Sequence, residues 1–138
     1  MAIGLYMDPV FLTIGTGDFL NSFFSTIFIK LENSEWGKKY PITMNNLYMG
    51  EVKLDKIPEA IIEIDLLKKQ LQTFPPSEVV WDFENLSSNP PWGNNISESI
   101  KNLADYFVTS NGENLVDLIK EAYHVALEID EPVIVKSI

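Results

Sequence analysis

Few residues in this chain could act on a substrate. His124 is the only histidine, there is no cysteine, and no serine sits in a nucleophile motif, so acyl transfer and thiol chemistry lack an agent. A resident metal would have to be held by carboxylates alone, which disfavours zinc; no metal and no cofactor are expected. Glu51-Val52-Lys53 has the E-x-K spacing in which a carboxylate holds a divalent ion and a lysine positions water. The nearest upstream aspartate, Asp18, belongs to a different predicted element, so a solvated strand face is the better reading. Gly15-Thr16-Gly17 at a helix start could offer N–H groups to an anion, but Asp18 already occupies that electrostatic position, and a capped turn fits better. Glu59 with Glu63 and Asp117 with Glu121 are carboxylate pairs at i,i+4, a spacing that can share a proton or a metal but normally marks the wet side of an amphipathic helix.

The elements that must position these groups read as follows. Ile3–Tyr6 and Val10–Ile14, separated by Met7-Asp8-Pro9, read as a short hairpin or a bent strand. Thr16 caps a helix over Phe19–Leu31, with Leu20, Phe23, Phe24, Ile27 and Leu31 on one face. Residues 33–46 read as a loop with a short extended piece at Ile42–Met44, and Leu47–Leu54 as a strand carrying Tyr48, Val52 and Leu54 on one face, with a bulge at Gly50. Asp55 and Pro58 open an amphipathic helix whose stripe is Ala60, Ile64, Leu67, Leu71 and Phe74, ended by Pro75-Pro76. Val79–Glu84 alternates as a strand with Val79, Trp81 and Phe83 inward and Asp82 and Glu84 outward. Asn95/Glu98 and Ser110/Glu113 have capping-box spacing ahead of helices over Ile96–Phe107 and from Leu115 to Ile129. Pro132 stops the last helix before a terminal strand, Val133–Val135. The fold class is α+β: one domain over residues 1–138, about four helices packed on a sheet of four or five mostly short strands.

Composition narrows the function. The 138 residues carry 20 acids against 10 basic residues, all lysine, for a net charge of −10. Nucleic-acid binding is disfavoured, because a phosphate-tracking surface needs clustered positive charge and arginine forks. A charged partner should be basic. A mass of 15.7 kDa predicts a folded surface of roughly 7,300 Å², enough burial for one core without disulfides. The absence of cysteine and of a basic n-region near the N-terminus leads to the expectation of a cytoplasmic protein. The most apolar stretch, Phe19–Leu31, is too short and polar to span a bilayer, so no membrane partner is expected.

What remains is binding. Trp36, Tyr40, Tyr48, Trp81 and Trp92 are amphipathic aromatics of the kind that anchor interfaces, Trp81 being assigned to the core, and Asp82 and Glu84 are the outward carboxylates nearest to them.

Several strings, in order and spacing, form a recognisable pattern. They are Ile14-Gly15-Thr16-Gly17 with Phe19-Leu20, Phe23-Phe24-Ser25-Thr26-Ile27, Leu31-Glu32-Asn33 with Trp36-Gly37, and Leu47-Tyr48-x-Gly50. Val79-Val80-Trp81-Asp82, Pro90-Pro91-Trp92-Gly93-Asn94-Asn95-Ile96 and Tyr106-Phe107-Val108-Thr109-Ser110 follow. Together they resemble the immunity protein 70 family of bacterial polymorphic toxin systems over nearly the whole chain. The resemblance implies an intracellular antitoxin, not an enzyme, that protects the producing cell by binding the catalytic domain of a cognate toxin. It carries no contact residues with it. If the toxin is a nuclease, its cleft is basic, and Asp82, Glu84, Glu51 or the Glu128, Asp130, Glu131 cluster would stand in for phosphates while Trp36, Trp92 and Tyr48 supply anchors. Two other classes stay open: an acidic adaptor with a non-toxin partner, and a small carboxylate/metal-dependent enzyme.

Overall fold

The structure, a computed structural model, describes residues 2–93 and 96–137. The chain starts with the expected hairpin: β1 (Ile3–Met7) and β2 (Val10–Gly15) pair antiparallel around a cis Asp8-Pro9 bond. The C-terminal strand β4 (Val133–Ser137) lies on the other side of β1, and the two-residue β3 (Glu51–Val52) follows it, giving an antiparallel sheet ordered β2-β1-β4-β3. Alternation buries Leu5, Met7, Ile14 and Val133 on the covered face.

Three main helices supply most of the remaining core, joined by Ile42, Met44 and Leu47 and by Leu103 and Phe107. The Thr16 hydroxyl accepts from the Phe19 amide at 3.2 Å and caps α1 (Gly17–Thr26), which runs on through a π-helical turn, Ile27–Leu31. Helix α2 (Ile57–Leu71) begins with Pro58 in its first turn and buries Ala60, Ile64, Leu67 and Leu71, as its apolar spacing requires. It packs on α4 (Leu115–Ile129), which buries Leu115, Leu118, Ile119, Ala122 and Ala126 and also lies on β1. Asp130 ends α4 in the left-handed region at φ 56°. The accessible surface, 7281 Å², matches the area expected from the mass. No helix among the described residues is long and apolar enough to cross a membrane.

Several elements differ from the sequence expectation, each because a local polar group or a tertiary contact wins. Residues 42–47 form a π-helical turn rather than an extended piece, and helical geometry continues through Tyr48 and Met49, so the strand expected over Leu47–Leu54 shrinks to Glu51–Val52. Gly50, at φ 108°, makes the turn between the two, and its carbonyl accepts from the Val135 amide at 2.8 Å. The helix expected over Ile96–Phe107 is only α3 (Leu103–Tyr106), capped by Asn102, whose side chain accepts from the Asp105 amide. Upstream, the Ser97 hydroxyl accepts from the Ser99 amide, the local competition by which serine weakens a helix; Asn95, the expected cap, lies outside the described residues. Asn114, not Ser110, caps α4: it accepts from the Asp117 amide at 3.1 Å, while the Ser110 amide instead donates to the Ile14 carbonyl.

The largest departure is Val79–Glu84, which joins no sheet. Its backbone groups are taken by side chains of α1: the Thr26 hydroxyl accepts from the Val80 amide at 3.0 Å and donates to the Val80 carbonyl at 3.1 Å, and the Ser25 hydroxyl accepts from the Phe83 amide at 3.0 Å. Two hydroxyls thus replace a neighbouring strand. Thr26→Val keeps shape and removes both bonds to Val80, so unfolding free energy should fall by about 2 kcal/mol in urea titration. An unchanged midpoint would show that Val80 is held by packing alone.

Candidate functional site

Four segments converge on an aromatic platform, and buried or half-buried polar groups position three of them. Glu32, only 2% exposed, follows the π turn of α1 and accepts three backbone bonds: from Gly37 through Oε1 and from Lys39 and Tyr40 through Oε2, each at 3.0 Å. This carboxylate folds the 33–40 loop over itself. Gly37 sits at φ 75°, where a Cβ would meet the Asn45 side chain at 2.6 Å, so the loop needs glycine beside Trp36. Glu63 on α2 clamps the next segment, accepting from the Ile42 amide at 3.1 Å and from both the amide and hydroxyl of Thr43 at 2.6 and 2.7 Å. Ser25 and Thr26 hold the 79–83 segment as described.

The outcome is that Trp36 meets Phe28, Tyr48 and Phe83 at ring-centre distances of 5.0, 4.7 and 5.3 Å, while its indole N–H donates to the Met44 carbonyl at 2.8 Å. Edge-on and tilted pairs of this kind add to what area burial alone contributes. The platform is continuous with a second group. Tyr48 packs on Phe24, Phe24 on Phe23, Phe23 on Phe107, and Phe107 on Tyr106, which leads to Trp92 and Trp81. The Trp92 indole donates to the Tyr106 hydroxyl at 2.9 Å.

Among the described residues of 72–102 there is one short turn of regular structure, a 3-10 turn at Pro76–Glu78, and connections of this length in a small domain are commonly functional loops or linkers. It walls a cleft of about 490 Å³ with Val79, Trp81, Leu86, Pro90 and Ile96, across from Lys30 and Tyr106. A second hollow of about 230 Å³ lies on the Trp92 side, lined by Phe19, Ile100 and Val108. Residues 70–100 contain four carboxylates, Glu78, Asp82, Glu84 and Glu98, and no lysine. Trp92 is 40% exposed and Tyr48 39%, and Leu86 projects further still. Apolar anchors and hollows thus adjoin a segment with four carboxylates, of which Glu78 is paired with Lys30.

Among the residues singled out from sequence, Trp36, Tyr48, Asp82 and Glu84 come together, because Asp82 and Glu84 flank Phe83 of the platform. Asp82 also shapes its own turn, accepting from the Glu84 amide at 2.9 Å. Trp92 belongs to the Trp81–Tyr106 group. Trp81 is half-buried and lines the cleft, where the alternation pattern put it in the core. Glu51 stands exposed on β3, paired with Ile134 of β4. His124 is exposed on α4, and Glu63, expected on a wet face, is a clamp instead. Glu32 was missed; its signal was a lone carboxylate closing an apolar run just before a turn-rich segment.

A family model described as Immunity protein 70 matches residues 5–135. The chain belongs to that family. It is an immunity protein, and the family implies that it binds a cognate toxin. No curated protein and no solved structure matches it. In this immunity protein 70 chain the strings that carry the resemblance touch one another: the Thr26 hydroxyl bonds Val80, and Glu32 accepts from Gly37 beside Trp36.

Its buried phenols give the immunity protein a defined alkaline limit. Burial, reinforced by Glu63, pushes the Tyr123 phenol above its ordinary value of 10.0, and its hydroxyl has no hydrogen-bond partner among the described residues. Burial with Glu32 and Glu63 raises Tyr40, and burial raises Tyr106 against the opposing bond from Trp92. Above pH 10 the unfolded chain releases phenolic protons that the folded chain keeps, so the unfolded state gains. Stability should be unaffected by these groups below about pH 10 and fall as pH rises through their folded values, read from urea midpoints with tyrosinate absorbance. Early tyrosinate absorbance in the folded protein from all three would contradict it.

Proposed function

We propose that this immunity protein acts inside the producing cell and neutralises a nuclease toxin of a polymorphic toxin system, covering the toxin's active site with the face formed around residues 72–102. The chain acts as one domain, by binding and not by catalysis. The observation that carries this reading is the union on that face of half-exposed aromatic anchors with four carboxylates and no lysine between residues 70 and 100. A nuclease cleft is basic because it must hold phosphates. Carboxylates at Asp82 and Glu84 oppose that charge, and Trp92 and Tyr48 give the contact its desolvated centre. The net charge of −10 steers the encounter, raising association toward about 10⁸ M⁻¹s⁻¹ at low salt.

The test is to express the C-terminal domain encoded by the adjacent upstream reading frame in a susceptible cell, with and without this protein. Rescue of growth is expected; a toxicity that persists sinks the reading. Association rates measured from low to high salt should fall steeply, whereas a flat profile would point to an apolar interface and leave the acidic face without a role.

A further inference from the structure

The cleft walled by residues 76–81 with Leu86, Pro90, Gly93 and Ile96 has a feature that the acidic face as a whole does not explain. Lys30, the one lysine among the described residues that line it, donates to Glu78 Oε2 at 2.9 Å, while Glu78 Oε1 has no protein partner among those residues. Both side chains are partly exposed, at 29% and 46%, and an ion pair in that setting is weak and exchangeable. Trp81 and Tyr106 line the same cleft with Leu86 and Pro90. We infer that this cleft takes an arginine side chain of the toxin, which displaces Lys30 from Glu78. The inference rests on the immunity reading above and names the chemistry of the partner at that face.

The match is chemical at each end of such a side chain. A guanidinium has a planar fork that can bond both Glu78 oxygens, where Lys30 as a point charge uses one, and it stacks on an indole face. The apolar stem lies along Leu86 and Pro90. About 490 Å³ admits the side chain together with the backbone that presents it. Asp82 and Glu84, on the segment that continues from the cleft wall, keep the local charge negative even with Lys30 in place. Lys30 is then a placeholder that neutralises Glu78 until the toxin arrives.

The sign of one substitution separates this from general steering. In the complex with the toxin domain, Lys30→Met should tighten binding by about five- to ten-fold, chiefly through slower dissociation. Lys120→Met makes the same charge change at the Lys120–Asp65 pair, which does not line the cleft, and should alter Kd by less than about two-fold. Glu78→Gln should weaken binding by about ten-fold or more. Thermal melting shows whether each variant is folded. Equal tightening by Lys120→Met, or unchanged or weaker binding by Lys30→Met, overturns the inference, since an apolar or acidic occupant would gain nothing specific from losing Lys30.

A second arm needs no toxin. N-acetyl-arginine amide, titrated against the protein by NMR, should shift the Trp81 indole N–H saturably with Kd on the order of millimolar, and the uncharged citrulline analogue should not. Equal shifts from both, or none from either, overturn the inference. Rescue in cells with a flat arginine titration removes the cleft's role and keeps the immunity function; a saturable titration without rescue keeps the cleft's chemistry and removes the toxin.

Discussion

Glu32→Ala is expected to lower the unfolding free energy by about 3 kcal/mol and the melting temperature by about 10 °C. The carboxylate is 2% exposed and accepts from three backbone amides, those of Gly37, Lys39 and Tyr40, so its loss strands three donors at once. Tyr40 is itself buried, and water cannot readily replace the lost acceptor there. Glu32→Gln should recover only part of the loss, because one of its two terminal atoms is a donor facing donors. Hydrogen exchange should speed up selectively at those three amides, and the toxin interface should weaken as Trp36 loses its place between Phe28 and Tyr48. A melting temperature within about 2 °C of the parent would mean that the loop is held by aromatic packing and that the carboxylate is incidental.

The second large effect concerns binding without stability. The double variant Asp82→Asn, Glu84→Lys should weaken toxin affinity by about 100-fold while leaving the melting temperature within about 2 °C. Asparagine keeps the oxygen that accepts from the residue 84 amide, so the turn survives and only the charge is lost. Glu121→Gln with Glu59→Lys changes the net charge equally, at exposed positions of α4 and α2 away from the candidate contacts, and serves as the reference. If that reference variant loses as much affinity, long-range steering accounts for the effect and Asp82 and Glu84 are not contacts.

How much was legible in the residues depends on whether an element carries its own signal. The hairpin, α2 and α4 were readable because apolar spacing, a proline or a cap marks each within its own few residues. The segment Val79–Glu84 was misread for an instructive reason: alternation reports an extended chain with one buried face, and it cannot say whether the neighbour is a strand or the hydroxyls of a helix. The four-residue α3 shows the same limit, since Ile96 and Ile100 have helical spacing but the serines between them bond locally and leave Asn102 to start the helix. Glu32 and Glu63 illustrate a third case. Nothing in a sequence separates a buried carboxylate that organises a loop from a solvated one until the amides that surround it are known.

By itself, then, the sequence determined the acidity, the lysine-free stretch from 70 to 100, the aromatic inventory, the main helices and the family resemblance. These are properties of composition and of short-range order, and they survive without knowing which segments meet. Only the tertiary structure decided that Trp36, Tyr48 and Phe83 form one platform, that Asp82 and Glu84 flank it, and that Lys30 pairs with Glu78 in the lining of a cleft. The contacts of the 78–83 segment join residues about fifty positions apart, Thr26 to Val80 and Lys30 to Glu78 among them, and such pairings are set by the closure of the whole core rather than by any local preference.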